Sequence, residues 1–309
     1  MKISTSTGDF SRYFENDVDL LRELHDAGFR YVDLSLYDDR KINRVYSDEN
    51  YVSEVEKLKS TAKELGLEFV LAHLPGGACG ADPIKRNEQF DFFLKATIRS
   101  IEICGMLGIK HAVYHAGIRL ELTDKKVWQE ENYEFVKLLL PHLEKWGVTL
   151  LVENSTELNT YGAYYVNSGK ELKDFVEYVN HKNVGACWDT GHANCEGSQY
   201  DDILTLGSHL KAIHYNDNHA NCDEHILPFL GTLNHDEVIT ALIDVGFDGY
   251  FNLEANATLI RKGGWPHRRR EFDKSDKLAF APLFMQRDLE KLLYKTAKYM
   301  LESYGIFEE

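Results

Sequence analysis

Five short apolar runs in this chain end on a carboxylate or an imidazole: Phe69-Val-Leu-Ala-His73, Ala112-Val-Tyr-His115, Leu150-Leu-Val-Glu153, Gly185-Ala-Cys-Trp-Asp189 and Tyr250-Phe-Asn-Leu-Glu254. Leu210-Lys-Ala-Ile-His214 repeats the pattern with a lysine inside it. Carboxylates and imidazoles gathered at one mouth suit a divalent cation. Glu153, Asp189, His214 and Glu254 close four successive runs, so their side chains are expected to meet around one ion. Three hard oxygen donors and one imidazole favour Mn, Mg, Co or Zn and leave positions for substrate oxygens. Packed together without a cation, three carboxylates would repel one another.

Buried parallel strands read as short apolar runs, and a polar residue repeated at their C-terminal ends is where a (β/α)8 barrel keeps its chemistry. Strands are predicted to begin near Lys2, Phe29, Glu68, Lys110, Thr149, Val184, Leu210 and Gly249. Between them, helical apolar spacing over 18–27, 54–65, 90–107, 133–146 and 238–245 stops each time at a glycine (Gly28, Gly66, Gly108, Gly147, Gly246). A glycine there is the usual helix stop feeding the next strand. Alternating strands and helices without a phosphate-binding Gly-x-Gly-x-x-Gly after the first strand predict an α/β chain closed as a barrel rather than an open sheet. One domain over 1–309 is expected, with long segments at 155–168 and, after strand eight, at about 255–283. Segments of that length tend to be lids or binding loops.

The bulk properties exclude several classes. Hydrophobic and charged residues make up 43% and 28% of the 309, as in ordinary globular proteins. No run approaches the ~20 apolar residues of a membrane helix. The N-terminus lacks a secretory signal, and the five cysteines form no Cys-x-x-Cys pair, so a reduced cytoplasmic protein is expected. A net charge of −15 repels a polyanion unless a local basic patch overrides it. The strongest such patch, Arg261-Lys262 with His267-Arg-Arg-Arg270, is read first as a solvated loop or subunit contact and second as a grip on an anion.

The words around the four candidate ligands are Glu153-Asn154, Trp188-Asp-Thr-Gly-His192, His214-Tyr-Asn-Asp-Asn218 followed by Asp223-x-His225, and Leu253-Glu254. Together they resemble the xylose isomerase-like TIM barrel superfamily, from the first strand to the last. That group holds sugar phosphate isomerases and epimerases, ketose 3-epimerases, inosose dehydratases and AP endonucleases of the endonuclease IV type. The resemblance implies that Glu153, Asp189, His214 and Glu254 bind one divalent ion. It further implies that Glu153 and Glu254 double as acid/base groups and that His192 contacts substrate.

The expected activity is therefore metal-dependent isomerisation or epimerisation of a sugar, a sugar phosphate or a polyol-derived ketone. Such an enzyme removes a proton next to a carbonyl and stabilises the enediolate with a Lewis-acidic ion. Two carboxylates on opposite faces take the proton from one side and return it from the other. Dehydration of an inosose-type substrate begins with the same abstraction. His73, His115, His192, His225 and Asp223 raise a rival reading, because matching positions in the endonuclease branch complete a three-zinc cluster. They are read here as contacts to sugar hydroxyls; multinuclear zinc ligands and core histidines are the alternatives. Against the nuclease stand the net charge, mixed-charge loops after the first two strands, and His115-Ala-Gly117 where the nuclease pattern favours His-Pro-Gly. Nucleic acid and membrane are not expected partners; a homo-oligomer is one arrangement the long eighth loop would serve. Asp33 is read as a contact to a substrate hydroxyl or as a loop cap, Trp188 as core, Trp265 as a lid or subunit contact, and His181, His209 and His235 as surface residues.

Overall fold

The computed structural model describes residues 1–37, 50–76, 90–118, 124–160, 163–260, 278 and 280–309. Eight strands lie where the apolar runs predict them: β1 Ile3–Ser6, β2 Tyr31–Ser35, β3 Glu68–His73, β4 His111–Tyr114, β5 Thr149–Glu153, β6 Val184–Asp189, β7 Leu210–His214 and β8 Phe251–Leu253. All pair in parallel, in the order β7-β6-β5-β4-β3-β2-β1-β8. A parallel bridge between Tyr215 and Leu253 closes the ring, with Tyr215 N–H donating to Asn252 O at 2.7 Å and Glu254 N–H to Tyr215 O at 3.0 Å. The chain is a (β/α)8 barrel.

Side chains alternate across each strand. One set, including Leu34, Tyr114, Val152, Trp188 and Ile213, joins the helices in the outer core. The other faces the barrel interior, where Leu71, Val113, Leu151, Cys187 and Ala212 form an apolar plug, joined by Val70, which the β2–β3 register skips. Trp188 is fully buried in the outer layer, as expected of the residue before an inward Asp189, and its indole N–H donates to Gln199 Oε1 at 3.0 Å.

The principal helices are α1 Asp17–Ala27, α2 Tyr51–Leu65, α3 Phe90–Leu107, α4 Lys125–Trp146, α5 Gly169–Val179, α6 Thr190–Glu196, α7 Tyr200–Leu206, α8 His235–Asp244 and α9 Leu283–Ser303. Gly28 ends α1 in the left-handed region (φ 108°), where a Cβ would be strained. The fourth helix begins well before the predicted 133, because Asp124 accepts from Lys126 N–H at 2.8 Å and caps an earlier start. Helix α5 is held by a capping box between Ser168 and Glu171.

The segment at 155–168 carries a helical turn, Glu157–Thr160, and Tyr164, whose hydroxyl donates to Glu153 O at 2.8 Å. The basic patch at 261–270, Trp265 within it, Cys79 and the 38–44 part of the loop after β2 lie outside the described residues. Among the described residues no helix is long and apolar enough to cross a membrane.

Candidate metal centre

Glu153 and Asp189 are the last residues of β5 and β6, His214 the last of β7, and Glu254 the first after β8. The register makes Asp189 and His214 direct neighbours. One ligand atom from each of Glu153, Asp189, His214 and Glu254 lies within 4.8 Å of the others. His214 Nδ1 stands between the two glutamates, 2.8 Å from Glu153 Oε1 and 3.2 Å from Glu254 Oε2.

Asp189 is locked from three sides. Its Oδ1 accepts from His192 N–H at 2.7 Å, its Oδ2 from Asn216 Nδ2 at 2.8 Å, and its backbone N–H donates to Asn154 Oδ1 at 2.6 Å. Asn154 and Asn216 thus support Asp189, and in the sequence they stand out only as part of the Glu153-Asn154 and His214-Tyr-Asn216 words. Gly191 is required beside them, because a Cβ there would sit 1.9 Å from Asn216 Oδ1.

Two further donor groups flank this quartet. His73 and His115 present Nε2 atoms 3.4 and 3.0 Å from Glu153 Oε2 and 3.1 Å from each other. On the other side Asp223 bridges two imidazoles, with His192 Nε2 3.2 Å from Oδ2 and His225 Nε2 3.0 Å from Oδ1. His73, His192 and His225 each turn Nδ1 to a main-chain carbonyl, of Leu74, Asn154 and Glu254, at 3.0, 2.9 and 3.1 Å. A carbonyl only accepts, so Nδ1 keeps its proton and Nε2 is the nitrogen offered inward. The loop delivering Asp223 and His225 runs through left-handed residues at Ala220, His225 and Phe229 (φ 59°, 48° and 75°), conformations that non-glycine residues adopt sparingly.

The electrostatics follow from this interleaving. Burial pushes the Glu153 and Glu254 carboxyls up, but the facing imidazoles, His214 foremost, outweigh it and hold both well below the usual range. Burial opposes the charge on His192 too, yet Asp189 and Asp223 raise it to about 10. Burial likewise opposes charge on His214 and His225, yet Cys187, Glu254 and Glu153 around the first and Asp223 and Glu254 around the second hold them well above the ordinary imidazole range. Asp189, buried and beside other acids, is raised. The acids and imidazoles thus hold one another charged, and three carboxylates with one imidazole are a donor set that fits a divalent ion.

Above the quartet lies a cavity of about 550 Å³. His73, His115, Glu153, His192, Asp223, His225 and Glu254 line it, while Asp189 and His214 lie fully buried beneath. Every residue predicted for the site is therefore brought to one mouth. Tyr37, not anticipated, forms a wall edge-on to His73 with ring centroids 4.9 Å apart, and Gly76 makes room for it. His181 and His209 pair with exposed glutamates, as surface residues do. His235 does not: it begins α8, mostly buried, with Nδ1 2.7 Å from the Tyr215 hydroxyl and Nε2 3.6 Å from Asp217.

Residues 21–274 match the profile of the xylose isomerase-like TIM barrel family. The chain belongs to that family. It is 26% identical over 217 residues to a D-psicose 3-epimerase of Ruminiclostridium cellulolyticum, covering 68% of this chain and 70% of the epimerase. It is 28% identical over 178 residues to a probable endonuclease 4 of Mesomycoplasma hyopneumoniae strain 7448, covering 55% of this chain and 60% of that protein. The chain thus matches less than two thirds of the endonuclease's length. A crystal structure of the IolI protein with a bound zinc atom superposes with a TM-score of 0.71 at 16% identity, over 98% of this chain and 99% of that one. At that identity the likeness speaks to the fold alone. Within the family, then, this chain has both sugar epimerases and endonuclease-like proteins among its relatives.

Proposed function

We propose that the chain is a divalent-metal-dependent isomerase or epimerase of a sugar or a closely related polyol-derived ketone. The observation that carries this reading is the pair Glu153 and Glu254: two carboxylates from different strands, both lining one cavity and both against His214. Held ionised, each is a competent proton acceptor, and two acids reaching a carbon from different sides can take a proton and return it. A divalent ion held by Glu153, Asp189, His214 and Glu254 would supply Lewis-acid polarisation of a carbonyl beside them. The cavity is of small-molecule size, and Ser6, Ser35, Asn159 and Asn256 add hydroxyl and amide groups to its wall. His73, His115, His192, His225 and Asp223 are assigned to substrate hydroxyls.

A second reading rests on a specific observation. Beside the quartet, His73–Glu153–His214 and Asp189–His192–His225 each bring ligand atoms within 4.8 Å of one another, as a multinuclear zinc hydrolase would require. The net charge of −15 weighs against a polyanionic substrate.

Elemental mass spectrometry of freshly purified protein, with no metal added, separates the two. About one ion per chain, followed by exchange of a ketose C–H proton with deuterated water, is the expected result. Two or three zinc ions per chain, with salt-sensitive cleavage of an abasic duplex and no exchange, would overturn it.

A further inference from the structure

Behind the candidate metal centre, a buried imidazole nitrogen without a hydrogen-bond partner faces a buried carboxylate. His214 Nδ1 is committed to the Glu153 and Glu254 side of the ring. The opposite nitrogen, Nε2, is buried without a hydrogen-bond partner and looks at Asp33 Oδ2, 3.8 Å away. Asp33 is fully buried in the barrel interior, its Oδ1 also lacks a partner, and it does not line the cavity. Neither role expected of it, a substrate contact or a loop cap, fits that position.

What does fit is orientation of His214. Asp33 comes from β2, on the side of the barrel away from β7, where the β2–β3 register shifts between Val32 and Asp33. Its carboxylate is braced by a chain of hydrogen bonds through two more strands. Ser4 Oγ donates to Asn252 Oδ1 at 2.7 Å, and Asn252 Nδ2 donates to Asp33 Oδ2 at 3.2 Å. Those bonds use one lone pair of Oδ2 and leave the carboxylate acceptor capacity directed at the imidazole. An approach of under about 1 Å would bring Nε2–H and Oδ2 into hydrogen-bond range and satisfy the imidazole. A buried donor left unmet is unfavourable, so the pair is poised to close.

We infer that Asp33 is a positioning residue for His214: by accepting the Nε2 proton it fixes the imidazole tautomer and commits Nδ1 to the ion. This rests on the reading of His214 as an ion ligand. Metal-binding histidines commonly give their second N–H to a carboxylate, which orients the ring and strengthens the donor nitrogen. Here that partner stands across the barrel, in the layer beneath the ligands.

The test uses the full chain and Zn2+. With 15N-labelled histidine and Zn2+ bound, two-bond 1H–15N spectra should show His214 as the Nε2–H tautomer, with that proton protected from exchange. Zinc affinity, measured by chelator competition, should fall roughly 10- to 100-fold in Asp33→Leu and much less in Asp33→Asn, whose amide oxygen still accepts. A merely structural Asp33 would lower stability in both variants without setting the tautomer or this ranking. If the unsubstituted protein binds no Zn2+, the metal-site reading itself fails. If it binds Zn2+ but His214 carries its proton on Nδ1, or Asp33→Leu keeps full affinity, the role of Asp33 fails and the metal site stands. Should Asp33→Leu not fold, the tautomer in the unsubstituted protein decides alone.

Discussion

Two of the places where the barrel buries carboxylates resolve them in opposite ways. At the mouth, Glu153, Asp189, Asp223 and Glu254 are interleaved with imidazoles, and Glu153, Asp223 and Glu254 are held ionised against the cost of burial. Away from the cavity, Asp9, in the turn after β1, meets Glu290 of α9. There an acid faces an acid, beside the Thr5 hydroxyl, which donates to Asp9 Oδ2 at 2.6 Å, and the Gln286 amide. Burial drives Asp9 up to about 7 and Glu290 well above the carboxyl range, with the Glu254 and Asp33 charges adding to Asp9 and Asp9 itself to Glu290. Near neutral pH one proton between them replaces a counter-ion. A buried acid is therefore no signature of an ion site. A buried acid kept charged by its neighbours is a much better one, and the mouth is built that way.

The comparison breaks most readily at Glu254. Glu254→Gln keeps the shape of the side chain but removes the base, so solvent exchange of the substrate proton should drop by roughly 10²- to 10⁴-fold. Sugar affinity should be partly retained, which equilibrium binding on the variant would check. Unchanged exchange would remove Glu254 from the proton transfer and leave it the role of ligand alone.

Removing the ion comes next in size. If the ionised mouth needs a cation, chelation should lower the unfolding free energy by about 3 kcal/mol relative to protein in free metal at a hundred times the dissociation constant. The loss should persist in Glu290→Gln, because that pair uses a proton instead. Thermal unfolding with and without chelator reads both. A chelator-insensitive melting curve would mean that imidazolium groups alone neutralise the acids.

Much of this arrangement was legible in the sequence, and what was not has a physical reason. Strand ends at His73, His115, Glu153, Asp189 and His214 stood out because a strand buried on both faces is apolar until the one residue that reaches the mouth. Gly28 and Gly147 marked helix ends because only glycine takes the left-handed stop without strain. The support layer was hidden. Asn154 and Asn216 are ordinary polar residues until the β5–β6–β7 register sets them against Asp189. Asp33 shows a period-two inward position in Tyr31-Val-Asp-Leu-Ser35, but nothing local says how deep in the barrel it lies. His235 was misread because its partners, Tyr215 and Asp217, belong to the loop after β7. Asp9 and Glu290 sit near opposite ends of the chain, and only barrel closure brings them together.

The smallest expected effect tests the comparison from its quieter side. The Asp9 carboxyl lies near 7 in the folded protein, against an ordinary value of 3.8. Between about pH 4 and 7 the folded state therefore holds a proton that the unfolded chain has released. Stability from this pair is full below that window and declines as pH rises through it, and raised Glu290 extends the decline further. In Glu290→Gln the Asp9 part, set by burial and the Glu254 and Asp33 charges, stays, while the part from Glu290 disappears, so the decline should flatten. Between pH 5 and 8 the difference should be on the order of 2 kcal/mol, after allowing for relaxation of the buried site. Exchange activity should stay within about threefold, since Glu290 touches neither the cavity nor the ion's ligands. Urea unfolding of the metal-loaded proteins across that range makes the measurement, and contributions shared by both proteins cancel in the difference. Parallel pH profiles would mean that both acids are already ionised in the folded state. Buried acids would then be tolerated here without proton or ion, and the ionised mouth would lose its claim to be special.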